Sequence, residues 1–198
     1  MSLFLLGLVR ALTGAQARWY GCPPKAEQRI YFANHQSHAD LVMIWAALPA
    51  ELRHITRPIA AKDYWTSSPF KQWITTAVFN AVYVERAKVG DQDPLEPLIV
   101  ALEKGDSIII FPEGTRGFQE EPMPFKAGLY NLAQRFPDVV LVPAWINNIQ
   151  RMLPKGEVIP VPVLCSVTFG APMQLDAGED RKLFADRARS AVIALRDV

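Results

Sequence analysis

Two short stretches of the chain hold residue types that can move a proton and bind an anion. The first is Asn34-His35-Gln36-Ser37-His38-Ala39-Asp40, in which a carboxylate follows an imidazole five positions later. The second is Phe111-Pro112-Glu113-Gly114-Thr115-Arg116, which brings a second carboxylate, a hydroxyl and a guanidinium into a loop. A positioned imidazole can take a proton from a hydroxyl, and a guanidinium binds phosphate through paired hydrogen bonds. Together they predict a site that activates a hydroxyl on a phosphorylated substrate.

Each stretch follows a run of residues typical of a buried β-strand. Residues 29–33 are mainly β-branched and aromatic, and residues 106–111 contain three consecutive isoleucines. Such runs predict strands, and a strand that ends in a polar loop delivers that loop to the edge of a sheet. Open α/β folds bind their ligands at this edge. We therefore expect both loops to contribute to one site.

The spacing of His35 and Asp40 allows two interpretations. On a continuous helix they would lie on different faces, but a loop that enters a helix between them lets the carboxylate fold back onto the imidazole. The carboxylate would then orient the ring and leave its other nitrogen to act as a base. In the second interpretation, Asp40 forms a capping box with Ser37, and His35 makes a structural hydrogen bond.

No residue near these loops is predicted to be a nucleophile. Cys22 and Cys165 lie outside both stretches and lack metal-ligand spacing, so we expect reduced, buried thiols. Ser37 has no nucleophile-elbow sequence around it. The base is therefore expected to act on a hydroxyl of the substrate, while Arg116 and Lys126 supply cations for its phosphate.

The remaining pattern predicts an α/β fold with a mostly parallel central sheet flanked by helices, because strand and helix patterns alternate. Ser37 and Asp93 are expected to cap helices. Pro143 lies near the middle of a strand, which favours an edge or a bulge there. Helices are expected at residues 38–48, 64–79, 94–104, 127–136 and 180–196, and strands at residues 29–33, 54–61, 81–84, 106–111, 139–146 and 163–169.

Composition sets broad limits on the protein class. A chain of 198 residues, half of them hydrophobic, matches a single domain with a substantial core, and a net charge of +1 argues against nucleic-acid binding. Residues 3–12 are apolar but are interrupted by Arg10, so they neither span a bilayer nor form a signal peptide. Within residues 1–20 two possibilities stay open: a helix in the membrane surface, or an amphipathic helix packed on the domain.

These blocks closely resemble those of the glycerolipid acyltransferases, in particular the bacterial 1-acyl-glycerol-3-phosphate (lysophosphatidic acid) acyltransferases. The resemblance covers residues from about 30 to 170, with the blocks in the family's order. An isolated His-x4-Asp has many chance matches, but its combination with Phe-Pro-Glu-Gly-Thr-Arg is specific. The matching residues are Asn34-His35, Asp40, residues 111–116, Pro124-Phe125-Lys126, Gly128 and Val142-Pro143.

The resemblance implies a glycerol-3-phosphate acyltransferase-like fold and direct acyl transfer in phospholipid biosynthesis. The donor would be a thioester, acyl-CoA or acyl carrier protein, and the acceptor a hydroxyl of a phosphorylated lysolipid. His35 would be the general base and Asp40 its orienting partner, with backbone N–H groups of the glycine-containing loops as oxyanion donors. No metal or redox cofactor is needed. The residues that would bind the acceptor, Arg116 at its phosphate, are Arg86, Glu113, Gly114, Thr115, Arg116 and Lys126.

The resemblance also implies contact with a membrane. The family has a membrane-facing tunnel that measures the acyl chain, and residues 65–79 are our candidate for it; core packing is the alternative for these aromatic residues. We expect peripheral attachment at the cytoplasmic face. The chain departs from the family where Asn80 stands in place of a usual glycine and Val84 in place of a usual isoleucine. His38 is an additional imidazole, expected to be exposed.

Other functions are compatible with the same residues. The acceptor could be another lysophospholipid or glycerol-3-phosphate, since one arginine recognises any phosphate. A non-catalytic lipid-binding module is a further alternative, although it would have no need of His35 and Asp40. A hydrolase would require a nucleophile or a metal cluster, and the sequence presents neither beside these loops.

Overall fold

The centre of the molecule is a seven-stranded β-sheet in the order β1-β7-β6-β2-β5-β3-β4. The computed structural model describes residues 7, 16–37, 39–85, 93–117, 119, 121–147 and 165–198. Within them the strands are β1 (Gln16–Trp19), β2 (Arg29–Ala33), β3 (Thr56–Ala61), β4 (Val82–Val84), β5 (Ser107–Ile110), β6 (Val140–Asn147) and β7 (Ser166–Phe169).

Strand β2 occupies the middle of this sheet. It pairs in parallel with β5 on one side and with β6 on the other, and all of its residues are buried. Neighbouring strands are parallel throughout except for β6 with β7. The predicted mostly parallel sheet is therefore confirmed, with one antiparallel pair.

Helices cover both faces of the sheet. Because successive residues of a strand point to opposite faces, Tyr31 packs with α1 in one core cluster, while Ile30 and Phe32 pack with α5, α6 and α7 in the other. The predicted flanking helices are confirmed. They are α1 (Asp40–Ala47), α2 (Ala50–Ile55), α3 (Lys62–Trp65), α4 (Pro69–Trp73), a π-helical turn (Ile74–Val78), α5 (Glu96–Glu103), α6 (Gly128–Arg135) and α7 (Arg181–Ile193).

Several predicted elements begin one or two residues later than expected, and two of these shifts have a local structural cause. The strand expected from residue 54 begins at Thr56, because the preceding residues form the short helix α2, which the sequence pattern did not predict. The helix expected from residue 94 begins at Glu96, and Asp93 is not its cap. Instead, the carboxylate of Asp93 accepts a hydrogen bond from the N–H of Leu95 at 2.9 Å, which forms a turn ahead of α5.

Pro143 lies inside the sheet, so the predicted edge is wrong, whereas the pairing on its β7 side is irregular as in a bulge: after Ala144 with Phe169 it resumes at Leu141 with Met173, which leaves one extra residue on the second segment. Its strand β6 is flanked by β2 and β7, and the pairing with β2 runs without interruption. The carbonyl of Pro143 accepts a hydrogen bond from the N–H of Gly170 at 2.8 Å, so the nitrogen of Pro143 also faces β7. The β7 ladder ends at the pair of Ala144 with Phe169. The missing N–H therefore removes no bond to β2.

Strand β1 corrects the extent of the predicted N-terminal helix. Gln16 lies opposite Ser166 and Trp19 opposite Phe169, and the rings of the latter pair stack with centroids 4.2 Å apart. A helix over residues 1–20 would have to end before Gln16; residues 1–6 and 8–15 lie outside the described residues. Among the helices that the structure describes, none combines the length and apolar character that a bilayer-spanning segment requires.

Asn80 adopts a backbone conformation that glycine favours. Its φ of 47° is the one positive φ among the described residues other than glycine. Asparagine tolerates this left-handed region better than most residues do. Asparagine in place of the family's usual glycine can therefore adopt the same backbone conformation between the π-helical segment and β4.

Replacing Asn80 by valine is expected to destabilise the protein, because a β-branched residue in the left-handed region costs about 1–2 kcal/mol. Asn80→Gly is the matched control and should change the free energy of unfolding by less than about 1 kcal/mol. Urea denaturation followed by circular dichroism measures both variants. Equal stability of the two would contradict the strained conformation assigned to residue 80.

Candidate active site

The parallel register of β2 and β5 brings the two polar loops to the same edge of the sheet. Phe32 lies opposite Ile110, so the two strands end at the same level. The loop that carries His35 and the loop that carries Arg116 therefore leave the sheet side by side. The predicted meeting of the two stretches follows from this register.

His35 and Asp40 form a hydrogen-bonded pair. Nδ1 of His35 lies 2.9 Å from Oδ2 of Asp40, the first residue of α1. The carboxylate is buried, whereas 15% of the His35 side chain is exposed. A carboxylate accepts the hydrogen of Nδ1, and in the neutral tautomer that this pairing favours, Nε2 is an acceptor. The pair thus has the arrangement of an oriented base.

The same carboxylate oxygen also shapes the loop. Oδ2 of Asp40 accepts hydrogen bonds from the N–H groups of Gln36 at 2.6 Å and Ser37 at 2.8 Å. Ser37 does not cap α1 as predicted: the N-cap is Ala39, whose N–H donates to the Ser37 hydroxyl. The two interpretations of Asp40 are therefore partly combined, since it holds both the backbone of Ser37 and the ring of His35.

The ring and backbone of His35 are held by the second loop. The imidazole stacks on Phe111 with centroids 4.3 Å apart and an angle of 15° between the planes. The His35 carbonyl accepts a hydrogen bond from the N–H of Gly117 at 2.8 Å. The imidazole is therefore restrained in plane by Asp40 and in tilt by Phe111, which limits the geometries that its base nitrogen can adopt.

Glu113 is buried, with 2% of the residue exposed, and does not line the cavity described below. Its two oxygens accept hydrogen bonds from the N–H groups of His35 at 2.7 Å and Met123 at 2.8 Å. Burial raises the pKa of the Glu113 carboxyl, and these N–H donors oppose that shift. The predicted contact of Glu113 with the acceptor is therefore corrected: this carboxylate joins the loop of His35 to the segment before Lys126.

Gly114 allows the side chain of Lys126 to approach the loop closely. Its φ is 68°, and a Cβ at this position would lie 2.8 Å from Nζ and 3.0 Å from Cδ of Lys126. The N–H of Lys126 also donates to the carbonyl of Pro112 at 2.9 Å. Glycine at position 114 therefore favours the turn and lets the ammonium group lie this close, because a Cβ would displace the flexible end of Lys126.

One cavity of about 570 Å³ is lined by both the imidazole residue and the cationic residues. His35, Gly114, Thr115, Arg116 and Lys126 all line it. This volume lies in the range of small-molecule sites, roughly 300–1,000 Å³. The imidazole and the guanidinium thus face the same space, as the joint-site hypothesis requires.

The apolar wall of the cavity comes from several elements. Of the predicted tunnel segment, residues 65–79, the part that lines the cavity is Trp65, whereas Phe79 belongs to the core and Phe70 and Trp73 are exposed. The expectation that this segment as a whole walls an acyl slot is therefore wrong. The wall is built mainly by side chains from the strands and the helices α1, α5 and α6, among them Leu41, Ile59, Leu98, Ile110, Leu129 and Leu132.

Two predicted residues, Arg86 and His38, lie outside the described residues. Sequence reasoning did not predict the structural role of Asn34. Its side-chain oxygen accepts a hydrogen bond from the N–H of Ile146 at 2.8 Å, and its NH₂ group donates to the carbonyl of Ile146 at 3.2 Å. Its position next to His35 was the available signal. No side-chain signal pointed to Met123, because it contributes its backbone N–H.

The match to a known family covers all of these groups. The model of the family described as Acyltransferase matches residues 22–147, which is more than half of the chain. The chain belongs to the Acyltransferase family. Every described residue of the cavity and of the His35 loop lies within the matched segment.

Relatives and a solved structure are similar over most of this acyltransferase. It is 26% identical to human 1-acyl-sn-glycerol-3-phosphate acyltransferase alpha, covering 87% of this chain and 60% of that protein. It is 29% identical to a coconut (Cocos nucifera) 1-acyl-sn-glycerol-3-phosphate acyltransferase, covering 78% and 48%. The chain thus spans about half to three-fifths of the length of these curated relatives.

The fold of this acyltransferase is also that of a solved structure. The crystal structure of the 1-acyl-sn-glycerophosphate acyltransferase PlsC from Thermotoga maritima matches with a TM-score of 0.70 and 20% identity, covering 98% of this chain and 79% of that one. The fold expected from the sequence is therefore confirmed.

Glu113→Gln is expected to lower both stability and the rate of turnover. A glutamine can offer only one oxygen, so one of the two N–H groups would lose its acceptor and face an NH₂ group; this costs about 1–3 kcal/mol. Because His35 is one of the two donors, kcat should fall more than the KM for the acceptor changes. Thermal unfolding and steady-state kinetics measure the two effects.

The matched control is Glu121→Gln. The Glu121 side chain is 53% exposed and pairs with Arg189 at 3.0 Å, so its loss should cost less than about 1 kcal/mol. If Glu113→Gln raised the acceptor KM alone and left stability unchanged, Glu113 would be a substrate ligand after all.

Proposed function

We propose that this acyltransferase moves a fatty acyl group from acyl-CoA or acyl carrier protein to the free hydroxyl of 1-acyl-glycerol-3-phosphate and so forms phosphatidic acid. The observation that carries the proposal is the shared cavity, in which the base of His35 and the cations of Arg116 and Lys126 face one space. The names of the human and coconut relatives support this choice of acceptor.

The proposed reaction needs one base and a well-positioned pair of substrates. Nε2 of His35 takes the proton of the acceptor hydroxyl as its oxygen attacks the thioester carbon. Asp40 stabilises the imidazolium that forms. The tetrahedral oxyanion then collapses, the carbon–sulfur bond breaks, and the proton passes from His35 to the leaving thiolate. An ester and a free thiol result, with no cofactor consumed.

The expected oxyanion donors need revision. The N–H groups of Gly114 and Gly117 already donate to the carbonyls of Phe111 and His35, at 3.0 Å and 2.8 Å. The glycine amides are therefore engaged in holding the loop. Within the cavity the hydroxyl of Thr115 and the ammonium of Lys126 are donors that can take the oxyanion role in this proposal.

Recognition of the acceptor is divided between charge and apolar surface. The guanidinium of Arg116 can bind phosphate through two parallel hydrogen bonds, and Lys126 adds a point charge. The apolar wall that includes Leu41, Ile59 and Leu98 is suited to an acyl chain. Because such substrates reside in bilayers, we propose that the protein works at a membrane surface as a peripheral protein on the cytoplasmic side.

A second candidate is the same reaction on a different lysophospholipid. The carboxylates of Glu85 and Asp93 line the cavity together with the cations. A headgroup that carries an ammonium as well as a phosphate would match this mixture of charges. Assaying lysolipids with phosphate alone against lysolipids with amine-bearing headgroups, with product identification by mass, decides between the two acceptors.

His35→Ala is expected to lower acyl transfer by about 10²- to 10⁴-fold, since a positioned base contributes that much. The measurement is the release of CoA from acyl-CoA in the presence of 1-acyl-glycerol-3-phosphate. His54→Ala is the matched control, because His54 is exposed on α2, and it should retain full activity. Full activity of correctly folded His35→Ala would contradict the assignment of His35 as the base. Release of free fatty acid by the wild type without any acceptor would indicate a hydrolase.

Arg116→Ala is expected to lower kcat/KM for the acceptor by about 10- to 100-fold, because a hydrogen bond to a charged group contributes about 1.5–3 kcal/mol. The KM for the acyl donor should stay unchanged. Arg135→Ala serves as the control, since Arg135 is 53% exposed and pairs with Glu103 on the surface. An equal loss with an acceptor analogue that lacks the phosphate would contradict the assigned role.

A further inference from the structure

Helix α4 presents two aromatic side chains to the surface. Phe70 is 66% exposed and Trp73 is 37% exposed, and their rings stack with centroids 6.3 Å apart. Single exposed apolar residues are common, but two adjacent aromatic rings on one short helix form a patch that indicates an interaction surface. We call residues 64–77, which carry this patch, the α4 surface.

Three hydroxyl groups of the α4 surface donate to nearby backbone carbonyls. Thr66 donates to the carbonyl of Lys62 at 2.7 Å, Ser67 to that of Tyr64 at 2.7 Å, and Thr76 to that of Gln72 at 2.8 Å. Such bonds are common in helical turns, and they would persist beside lipid, which offers no hydrogen-bonding groups.

The charge of the α4 surface is low and positive. Lys71 is the single charged residue between positions 64 and 79. Its ammonium lies 3.8 Å from the centroid of the Tyr64 ring and 3.2 Å from the hydroxyl of Ser67, both of which are neutral. Aromatic side chains are enriched at membrane–water interfaces, and a lysine near an anionic bilayer contributes about 1 kcal/mol to binding.

The α4 surface shares one residue, Trp65, with the lining of the cavity. Trp65, at the end of α3, lines the cavity together with His35, and α4 begins a few residues later at Pro69. A bilayer in contact with Phe70 and Trp73 would thus lie next to the element that forms part of the cavity wall. This placement would shorten the path of a lipid substrate between the bilayer and the cavity.

We propose that the α4 surface docks on an anionic bilayer. Phe70 and Trp73 enter the interfacial region, and Lys71 contacts lipid phosphates. The purpose of this docking rests on the proposed function, but the docking itself does not. A second copy of the chain is the rival occupant; two copies that met through this surface would bring the two Lys71 side chains together, which does not favour it.

The experiment is co-sedimentation of the full chain with vesicles of phosphatidylcholine alone or mixed with phosphatidylglycerol. The double variant Phe70→Ser/Trp73→Ser should partition at least about tenfold more weakly than the wild type, since two large apolar side chains no longer insert. Lys71→Gln should weaken binding to the anionic vesicles only. Leu183→Ser is the matched control, because Leu183 is 59% exposed on α7, and it should bind like the wild type.

A second measurement locates the contact without disturbing it. Brominated lipids should quench the fluorescence of the wild type, and Trp73→Phe should bind normally but lose most of that quenching. Undiminished vesicle binding by the double variant, or undiminished quenching in Trp73→Phe, would overturn the proposal. A lipid-free dimer that the double variant converts to a monomer, with vesicle binding unchanged, would assign the surface to a second copy instead.

Failure of this proposal is distinguishable from failure of the proposed function. His35→Ala should bind vesicles like the wild type, because His35 lies in the cavity. The double variant should retain acyl transfer to short-chain, water-soluble acceptors. Vesicle binding without any acyl transfer would therefore reject the function alone, and acyl transfer without vesicle binding through α4 would reject the docking alone.

Discussion

The buried carboxylate of Glu113 is the interaction on which the site depends. Two loops that leave neighbouring strands have no inherent reason to hold a fixed distance, because the sheet register constrains only their first residues. By accepting hydrogen bonds from His35 at 2.7 Å and Met123 at 2.8 Å, Glu113 fixes the loop of the base against the segment that leads to Lys126. In an interior of low polarity these bonds are strong, and leaving either donor unpaired is costly.

Asp40 performs a similar task on the other side of the imidazole. One of its oxygens accepts from the ring of His35 and from the N–H groups of Gln36 and Ser37. The orientation of the His35 ring is therefore part of the folded loop. Such preorganisation is a large part of what an enzyme contributes to charge-separating steps. Asp40 and Glu113 thus both hold His35: Asp40 bonds its ring, and Glu113 bonds its backbone N–H.

The apolar parts of the molecule divide into a wall and an outer surface. Residues that face the cavity, such as Leu41 and Leu98, come from helices packed on the sheet, so their positions are set by the core. Phe70 and Trp73 instead stand on a helix with no buried residues. Largely exposed aromatic side chains are suited to a partner outside the domain, so the two apolar groups differ in what they can bind.

The sequence by itself determined six of the seven described strands and the mostly parallel sheet, and it placed His35, Asp40, Arg116 and Lys126 in two motifs, because hydrophobic period and motif spacing are local properties. Spacing left two interpretations of Asp40 open, and β1 was not predicted. The sequence did not determine the role of Glu113 or the surface position of Trp73. Whether a side chain faces a cavity, the core or the solvent depends on residues distant in the chain, such as Met123 for Glu113. Only the tertiary structure decides those contacts, since burial and hydrogen-bond partners are created when the loops meet.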